Sequence, residues 1–590
     1  MNVIHGYPEG VDRVDIVPGD LVVDTPTLEN LGFRWFVEGD RNSNATVEVA
    51  YRRKGEVQWS PGLSMLRINH EIAARHQGRD FRTENLFAGS IMFLQPDTDY
   101  QVKFIMHDPD GGAPDEAKII NTRTRSEPLA RNNGNVIHVY PVEHPDYKLV
   151  GSKHIDIREA FDTVQAGDLI YLHEGIHSSG DLPIILKNSG SRSHPIVIRG
   201  AGAGKSIIEG EGLETDIFRI PGASHLIFED LTLRTANAAI RTSVDGLADS
   251  KGPGASWLTV RRCHIENVRI GIWTYSQNSK NWYIADNIIT GIDEEWYPRP
   301  RSGYMDGSHT GINVYGQGHV VCHNRISGFS DSIAIANYYP PSLDIHKQAL
   351  NIDFYNNDVS CATDDTIEAD YGCHNIRIYN NLCYNAHTGI SVQPAYGGPV
   401  YLIRNEIFGI SELSFKWNMA PSGVIAYHNT LVSAGVGFRS PLWSNSHLKN
   451  NLILAGQGRG ALYTGALDPN TSTMNYNGWF ADSSLTDWFR WRQSTAETTA
   501  YSSLEAFRDA TGYETDGIMV DYDDFVGLTF VEPGRSYLPS EFDIRLNSNA
   551  KAVDVGAKLS NVNDNYTGSA PDLGAIEYGS QRPQYGPREN

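Results

Sequence analysis

A short pattern of one asparagine followed by alternating apolar and polar residues recurs along the middle of the chain. It appears as DNIITGI, HNRISGF, NNDVSCA, NNLCYNA, RNEIFGI, HNTLVSA and NNLILAG, with its asparagines at positions 287, 324, 357, 381, 405, 429 and 451. The alternation favours short strands, and a shared spacing near 24 residues is typical of stacked repeats. The pattern therefore predicts a parallel β-helix, in which each coil buries its inward side chains against the next.

Two intervals, after Asn287 and after Asn324, exceed this common spacing and predict insertions at about 293–316 and 337–350. Insertions in stacked-repeat proteins usually build the binding face. Both are rich in aromatic and basic residues, which suit stacking on sugar rings and recognition of carboxylate or sulfate groups. The substrate-binding residues expected from the insertions are Trp296, Arg299, Arg301, His309, Tyr338, Tyr339 and Lys347.

Residues 1–127 carry a different pattern, with longer alternating runs such as FRWFVEG, ATVEVAYRR and DYQVKFIM divided by polar turns. Such runs predict an antiparallel β-sandwich. The segment from Leu94 to Tyr100 resembles the tyrosine corner of fibronectin type III domains. We predict an all-β protein: a sandwich over 1–127 and a β-helix over 128–590. A short helix at 157–161 is expected to cap the start of the β-helix, and a capping region is expected from about 470.

Composition and charge narrow the classes of partner. The formal net charge of −22 argues against nucleic acid, because binding phosphates requires a basic surface. The net charge does not exclude an anionic polysaccharide as a partner, since a local basic strip can bind one. No apolar run reaches the roughly 18 residues that a membrane-spanning helix needs, so no membrane span is expected.

Residues 357–393 hold an unusually dense set of acids and histidines. Alignment of the coils on their asparagines places Asp331 and Asp364 at the same offset, and equivalent strands lie about 4.8 Å apart. Around Glu368 the apolar residues fall one position late, which predicts a one-residue bulge that turns Glu368 and Asp370 outward. The catalytic residues expected in this groove are Asp364, Asp365, Glu368, Asp370, His374 and His387. Further substrate-binding residues expected beside them are Asp331, Tyr371, Gln393, Lys416 and Trp417.

Several carboxylates held close together favour three interpretations. They cannot all ionise easily, so one should have a raised pKa and another a lowered one, as a glycosidase needs for its proton donor and its base or nucleophile. The same residues could bind calcium. The third interpretation is an acidic, solvated turn without a function.

Two sequence resemblances bear on this choice. VQAGDLIYLHEGIH and HPIVIRGAG are similar to the opening coils of the pectate-lyase-like superfamily, which implies a right-handed parallel β-helix. Glu368-Ala-Asp370 followed by HNIRIYNN resembles the stretch in alginate lyases and chondroitinase B relatives where two acids bind calcium. That resemblance implies a lyase with a lysine base and an arginine acid. The chain departs from it, with no lysine near His374 and no arginine near His387.

Polygalacturonase-type hydrolases also use clustered aspartates on a β-helix, and the adjacent pair Asp364-Asp365 resembles theirs, although the flanking motifs differ. We therefore favour an enzyme that hydrolyses an acidic or sulfated polysaccharide and requires no cofactor. One carboxyl group would protonate the leaving oxygen, a second would act as base or nucleophile, and His374 and His387 would orient them.

Two alternatives remain for this hypothesis. One is a polysaccharide lyase with a histidine or tyrosine base and calcium at Glu368 and Asp370. The other is a glycan-binding solenoid without activity. The N-terminal MNVIHGYPEG lacks the basic and apolar regions of a signal peptide. We expect a secreted or periplasmic protein whose signal has been removed, the alternative being a cytoplasmic one.

Overall fold

The computed structural model describes residues 13–76, 79–131, 133–144, 157–243, 251–292, 307–335, 342, 344–466, 470–492 and 497–589. Among the described residues strands far outnumber helices, and they are arranged as a two-sheet sandwich followed by a parallel β-helix. This confirms the predicted fold class. Trp296, Arg299, Arg301, Tyr338 and Tyr339 lie outside the described residues.

The N-terminal sandwich consists of two antiparallel four-stranded sheets. In spatial order, one contains Ile16–Val23, Leu31–Gly39, Asn85–Ile91 and Leu66–Asn69, and the other contains Lys118–Arg123, Asp99–His107, Thr46–Arg53 and Ser60–Pro61. A hairpin of Ile72–His76 and Arg79–Arg82 extends from it. The expected tyrosine corner is present, because the backbone N–H of Gln95 donates to the hydroxyl of Tyr100 at 3.0 Å.

The β-helix is built of two parallel sheets that face each other across an apolar core. The smaller sheet has 13 described strands: Val136–Val139, Leu169–Leu172, Ile196–Gly200, Leu226–Glu229, Thr259–Arg261, Tyr283–Ala285, Val320–Cys322, Asp353–Tyr355, Ile376–Tyr379, Tyr396–Ile403, Ser422–Tyr427, His447–Lys449 and Thr473–Asn475.

The larger sheet has 21 described strands and carries the acidic residues. They are Gly175–Ser178, Ile184–Ile185, Ser206–Gly212, Phe218–Arg219, Thr232–Arg241, His264–Thr274, Ile288–Gly291, Thr310–Val314, Arg325–Ser327, Asp331–Ala334, Asp358–Glu368, Leu382–Val392, Glu406–Trp417, Thr430–Ser433, Phe438–Arg439, Leu452–Leu454, Leu462–Thr464, Gly478–Phe480, Phe489–Arg492, Thr498–Tyr501 and Ile518–Met519. Thr310–Val314 therefore belongs to a coil, although the sequence assigned it to an insertion.

The helices are short and lie at the margins of the stack. They are the α-helices Ile157–Thr163 and Leu504–Thr511 and the 3-10 helices Ile345–Lys347, Tyr522–Asp524 and Pro539–Glu541. The first covers the start of the apolar core with Ala160 and Phe161, as expected for a cap. Among the described residues, no helix has the length and apolar character needed to cross a membrane.

The recurring asparagines form a continuous ladder inside the turns of the β-helix. The side-chain amide of Asn357 donates to the side-chain oxygen of Asn381 at 2.9 Å, and that of Asn381 donates to Asn405 at 3.0 Å. The same contact continues from Asn287 to Asn477, and each asparagine oxygen also accepts from the backbone N–H of the preceding rung. The predicted coil spacing is therefore confirmed.

The stack continues beyond the point where the sequence period was expected to end. Asn477 is a further rung, and its amide donates at 2.7 Å to Glu514, where the ladder stops. The region expected to act as a cap from about 470 thus includes one more coil, with strands Thr473–Asn475 and Gly478–Phe480. After that coil, helix Leu504–Thr511 buries Leu504 and Phe507 against the apolar core. Beyond it the chain returns along the outside of earlier coils. There the backbone N–H of Gly574 donates to Asn450 and Arg582 pairs with Glu406.

The sandwich packs against the outer face of the smaller sheet through a buried polar contact. Arg377 is fully buried, and its guanidinium contacts Asp353 at 2.5 Å, Asn351 at 2.6 Å and Ser90 of the sandwich at 3.0 Å. Asn30 of the sandwich donates to Asp353 at 2.7 Å. The sandwich covers the smaller sheet and leaves the larger sheet to carry the site.

Candidate active site

A one-residue bulge in strand Asp358–Glu368 determines which acids face outward. The pairing with the next coil shifts by one residue between Ala362 and Asp365, and from there Ile367 pairs with Ile390. Ile367 and Ala369 face the apolar core, so Glu368 lies on the opposite face of the sheet. The predicted bulge is confirmed. It places Asp365, rather than Asp364, beside Asp331, since Ile333 pairs with Ile367 and the backbone N–H of Asp365 approaches the Asp331 carboxylate at 3.4 Å.

Three aspartates meet at this point of the larger sheet. Carboxylate oxygens of Asp331, Asp364 and Asp365 all lie within 4.8 Å of one another. Lys416, two coils further on, places its ammonium 2.5 Å from Asp365 and 3.6 Å from Asp364. The lysine was expected to bind substrate, and it instead lies among the predicted catalytic acids as their counterion. Asp364 is the most exposed of the group, with 12% of its side chain accessible.

Glu368 and Asp370 form a second pair beside this cluster. Their carboxyl groups are hydrogen-bonded to each other, and Ser391 donates to Asp370 at 2.8 Å. A hydrogen bond between two carboxyl groups requires one proton. The contact raises the pKa of Glu368 and only partly offsets the rise that burial causes in the pKa of Asp370, so Glu368 holds its proton more tightly than Asp370 does.

Burial and mutual repulsion shift the acids towards the protonated state. Burial raises the pKa of Glu368 well above its ordinary value, and the charges of Asp370 and Asp365 raise it further. Burial also raises the pKa of Asp370 to about 7, despite the opposing effect of Lys416. The pKa of Asp331 is raised well above its ordinary value, first by burial and then by the charges of its acidic neighbours. Glu368 and Asp331 are therefore the protonated members of the cluster near neutral pH, and Asp370 is close to the midpoint of its titration there.

For Lys416, the neighbouring charges outweigh the effect of burial on the pKa. Burial alone would lower its pKa, but the charges of Asp365, Asp364 and Asp370 raise it above the ordinary value of a lysine. The ammonium is therefore a permanent cation, and it does not act as a base in this arrangement.

His387 and Tyr371 border the acids. His387 approaches Asp364 at 4.0 Å through one ring nitrogen and Glu412 at 3.0 Å through the other. The pKa of Tyr371 is raised to about 12 by burial and by the nearby charges of Asp370 and Glu368. Both predicted residues are thus placed beside the cluster. Glu412, which the sequence did not indicate, is bound in turn by Arg439 at 3.1 Å.

Glu368 and Lys416 belong to one row of paired residues that runs along the larger sheet, which we call the outer row. It consists of Arg241, Trp273, Asn313, Ala334, Glu368, Ser391, Lys416, Arg439, Tyr463 and Arg490. Successive members lie about 4.8 Å apart. Beyond Lys416 the row is basic and aromatic, and it borders a 290 Å³ cavity lined by Arg439, Tyr463 and Arg492.

Two residues predicted for the groove lie elsewhere. His374 is fully buried between the coils and the sandwich, with one ring nitrogen 2.6 Å from the carbonyl of Gly398 and the other 3.4 Å from Glu84. Trp417 is fully buried in the core of the β-helix, 5.0 Å from the ring of Phe438. These placements correct the expectations for both, because neither side chain faces the groove.

The remaining predicted residues lie around the site or apart from it. His309 precedes Asp331 by one coil, and its ring lies 5.3 Å from Trp273 of the outer row. Gln393 accepts a hydrogen bond from Asn418 at 2.8 Å. Lys347 is exposed on a 3-10 helix and pairs with Asp344 at 3.6 Å, so nothing in its described contacts joins it to the acids.

The donor atoms were tested for calcium, the metal that the sequence resemblance implies. Asp331, Asp364 and Asp365 offer oxygen ligands at suitable separations, but the Lys416 ammonium already lies against two of them. Glu368 and Asp370 share a proton. The acids therefore do not fit a calcium ion in the arrangement described, because protein groups already compensate their charge.

Fold and site together define a parallel β-helix with a carboxylate cluster on one sheet. Residues 151–268, about a fifth of the chain, match the sequence profile of the chondroitinase B family. This confirms the resemblance to that group of polysaccharide-degrading enzymes over those residues. The match ends before Asp331 and does not include the site. A comparison with curated proteins found no match.

Solved structures similar to the chain include two lyases and one exopolygalacturonase. A mannuronic acid-specific polysaccharide family 6 lyase from human gut microbiota is 15% identical, with 62% of this chain and 92% of that chain covered and a TM-score of 0.38. A PL6 family alginate lyase is 15% identical, with 68% and 59% covered and a TM-score of 0.37, so the chain spans 59% of its length. A family 28 exopolygalacturonase from Yersinia enterocolitica is 11% identical, with 82% and 98% covered and a TM-score of 0.26.

Proposed function

We propose that this protein is a secreted or periplasmic enzyme that hydrolyses glycosidic bonds in an acidic polysaccharide. The observation that carries the proposal is the position of Glu368, whose pKa burial raises well above its ordinary value, on the same outward face as the aspartates that contact Lys416. A glycosidase requires two carboxyl groups with pKa values pushed apart, one to donate a proton and one to accept it.

We assign one residue to each step of the proposed reaction. Glu368 donates its proton to the glycosidic oxygen as the bond to the anomeric carbon breaks. Asp364, the most exposed of the aspartates, takes a proton from the water whose oxygen attacks that carbon. His387 lies between Asp364 and Glu412 and orients the Asp364 carboxylate. After the products leave, Asp364 releases the proton that it took from the water and Glu368 takes up a proton from solvent, which restores both groups.

Lys416 supplies the positive charge that the sequence resemblance had assigned to calcium. Its ammonium lies against the carboxyl groups of Asp365 and Asp364 and offsets negative charge at that point of the sheet. We therefore propose an enzyme that retains full activity in a chelator. Activity that is lost in the chelator and restored only by calcium would contradict this role of Lys416.

The outer row supports an acidic substrate. Lys416, Arg439 and Arg490 follow one another along it, with Tyr463 between the two arginines. Arg439 and Arg490 expose 47% and 50% of their side chains. A basic strip on a protein of net charge −22 concentrates a polyanion at that strip, and tyrosine adds a surface for a sugar ring.

The test is digestion of alginate, polygalacturonate and chondroitin sulfate, measured in parallel for new reducing ends and for the ultraviolet absorbance of an unsaturated uronate. Hydrolysis produces reducing ends without that absorbance. We expect this result with at least one of the three polymers. Reducing ends and absorbance that rise together would overturn hydrolysis in favour of β-elimination.

β-Elimination is the second candidate, and the chondroitinase B match over residues 151–268 favours it. In that case His387 or Tyr371 would remove the proton beside the uronate carboxyl group, because Lys416 is held as a cation. Within the cluster, only Lys416 would then bind the substrate and neutralise its negative charge. Substitution of His387 separates the two candidates, as described below.

A further inference from the structure

A cavity of about 790 Å³ lies where the linker from the sandwich crosses the outside of the smaller sheet. Its linker wall includes Arg125 and Arg131, and its coil wall includes Arg192, His225 and Trp257. None of the acids of the proposed active site lines it. It is therefore a separate feature on a different sheet.

Trp257 combines exposure with an unfavourable backbone. It is a large apolar residue with 37% of its surface exposed, and its φ is +57°. Bulky side chains rarely adopt this left-handed conformation, whereas asparagine tolerates it. The equivalent turn position on later coils is asparagine at 281, 351 and 375, each with positive φ. The chain thus keeps an exposed tryptophan where the fold alone would favour asparagine, and such strain marks functional sites.

Trp257 is one part of an aromatic ledge. His225 occupies the equivalent position on the preceding coil, and the two rings are parallel, with centroids 5.7 Å apart and planes 5° apart. The guanidinium of Arg125 lies 5.8 Å from the Trp257 ring. Aromatic surfaces of this kind pack against the apolar faces of sugar rings.

The charge in the cavity is incompletely balanced. Arg125 donates to the carbonyl of Gly318 at 3.1 Å, while its Nε and Nη2 are buried and have no hydrogen-bond partner among the described residues. Both acids that line the cavity are already engaged, Asp97 with Arg123 at 3.0 Å and Glu127 with Arg588 at 2.7 Å. A buried guanidinium with unused donors is unfavourable unless an anion binds it.

We propose that this cavity is a second binding site for an anionic polysaccharide, remote from the acids that cleave it. A sugar ring packs on the ledge of His225 and Trp257, and its carboxylate or sulfate group binds Arg125, with Arg131 and Arg192 extending the basic surface. The class of ligand rests on the proposed function, but this site shares no residue with the proposed active site. It would hold the polymer on the protein between cleavage events.

The experiment uses the full chain with Glu368→Gln, so that no polymer is consumed during binding. Electrophoresis in native gels that contain alginate, polygalacturonate or chondroitin sulfate gives an apparent affinity for each polymer. Trp257→Asn is the test substitution, because asparagine occupies that position on three later coils, and its thermal midpoint should equal or exceed that of the parent. We expect at least one polymer to retard the parent. The apparent affinity for that polymer should be about 10-fold weaker in Trp257→Asn, because the substitution removes an aromatic contact with the sugar and its interaction with the neighbouring cation.

Trp59→Ala is the matched control. Trp59 also lies between cations, 4.3 Å from Arg52 and 5.0 Å from Lys103, but on the sandwich and away from the cavity. Its retardation should equal that of the parent. Equal affinities of the parent and Trp257→Asn would refute the site, as would absence of retardation by all three polymers. Because binding is measured without turnover, a protein that proves not to hydrolyse these polymers can still confirm the site.

Discussion

Two sets of polar residues run across successive coils of this β-helix, and they differ in how their hydrogen bonds are satisfied. In the asparagine ladder each side chain is neutral, donates to the next rung and accepts from the backbone of the previous one. In the carboxylate cluster, side chains of like charge lie within 4.8 Å of one another and depend on one ammonium. Both sets are buried, but only the asparagine ladder satisfies its hydrogen bonds with its own members and the backbone.

This difference separates structural from functional polar residues. The ladder fulfils its hydrogen bonds inside the protein, which stabilises the turns and leaves nothing for a ligand. In the cluster, burial raises the pKa of Glu368 well above its ordinary value and that of Asp370 to about 7, so acidic protons are retained there for a reaction near neutral pH. The predictions below test this contrast, starting with the largest expected effect.

Glu368→Gln should reduce kcat/KM on a cleaved polymer about 1,000-fold, since a general acid contributes on the order of 100- to 10,000-fold. The matched control is Glu514→Gln at the end of the asparagine ladder. Glu514 is also buried, and burial raises its pKa to about 7, but it contacts Asn477 and not the cluster. Comparable losses in the two variants would mean that burial, and not position, explains the effect.

Lys416→Met should destabilise the fold by about 3–5 kcal/mol at pH 8, because it leaves buried carboxylates without their cation. The loss should be smaller at pH 5, where those carboxylates can protonate instead. Urea denaturation at the two pH values measures it. Arg439→Met is the control, since Arg439 is half-exposed and its pairing with Glu412 contributes little. A loss independent of pH would contradict the ion-pair explanation.

The parent protein should become less stable as the pH rises from about 4 to 7. The folded-state pKa of Asp370 is raised from 3.8 to about 7, so the folded state holds its proton more tightly than the unfolded state. Its contribution is therefore present at low pH and lost as the pH rises through 7. Asp370→Asn removes this titration, and its thermal midpoint should depend less on pH over the same range. Parallel curves would show that Asp370 titrates normally.

Asn405→Ala should destabilise the protein by about 1–3 kcal/mol, because it removes the side-chain oxygen that accepts from both the backbone N–H and the side-chain amide of Asn381. Activity per folded molecule should be unchanged. Asn418→Ala is a suitable comparison, since Asn418 is partly exposed and contacts only Gln393 in the described hydrogen bonds. A specific loss of turnover in Asn405→Ala would contradict the division between the two sets.

His387→Gln should have the smallest effect, a less than about 10-fold loss of kcat/KM, if the histidine only orients Asp364. Glutamine keeps a polar contact with Glu412 but cannot act as a base. A loss of about 1,000-fold that removes the ultraviolet product signal would instead identify His387 as the base of a lyase. Steady-state kinetics with both detection methods distinguish these outcomes.

The sequence predicted the regular parts of this molecule because they repeat. The asparagine spacing located the coils, and the shifted apolar residues around Glu368 located the bulge. Long-range contacts were less accessible. Nothing local to Lys416 indicates that it reaches back 51 residues to Asp365, although its place in the outer row follows from the coil alignment.

His374 illustrates the opposite failure. Its position between acidic and aromatic residues suggested a catalytic group, but it contacts Glu84, which lies in a different domain. Burial makes a polar or charged group costly unless a partner lies beside it, and His374 and Glu84 are each other's partners, so the pair joins the domains instead of serving the groove. The sequence pattern within one coil carries no information about which coil face another domain will cover.

The contact of Arg588 with Glu127 and Asp286 has a consequence for the order in which the molecule is assembled. It joins the interdomain linker, a middle coil and a segment 461 residues after the linker, at 2.7 Å to Glu127 and 2.5 Å to Asp286. A chain synthesised from its N-terminus can fold the sandwich and the first coils early. The contact between Arg588 and Glu127 of the linker, however, can form only after residue 588 has been synthesised. The domains are already joined through Asn30, Ser90 and Arg377, so this contact fastens the linker after the coils that it spans have been made.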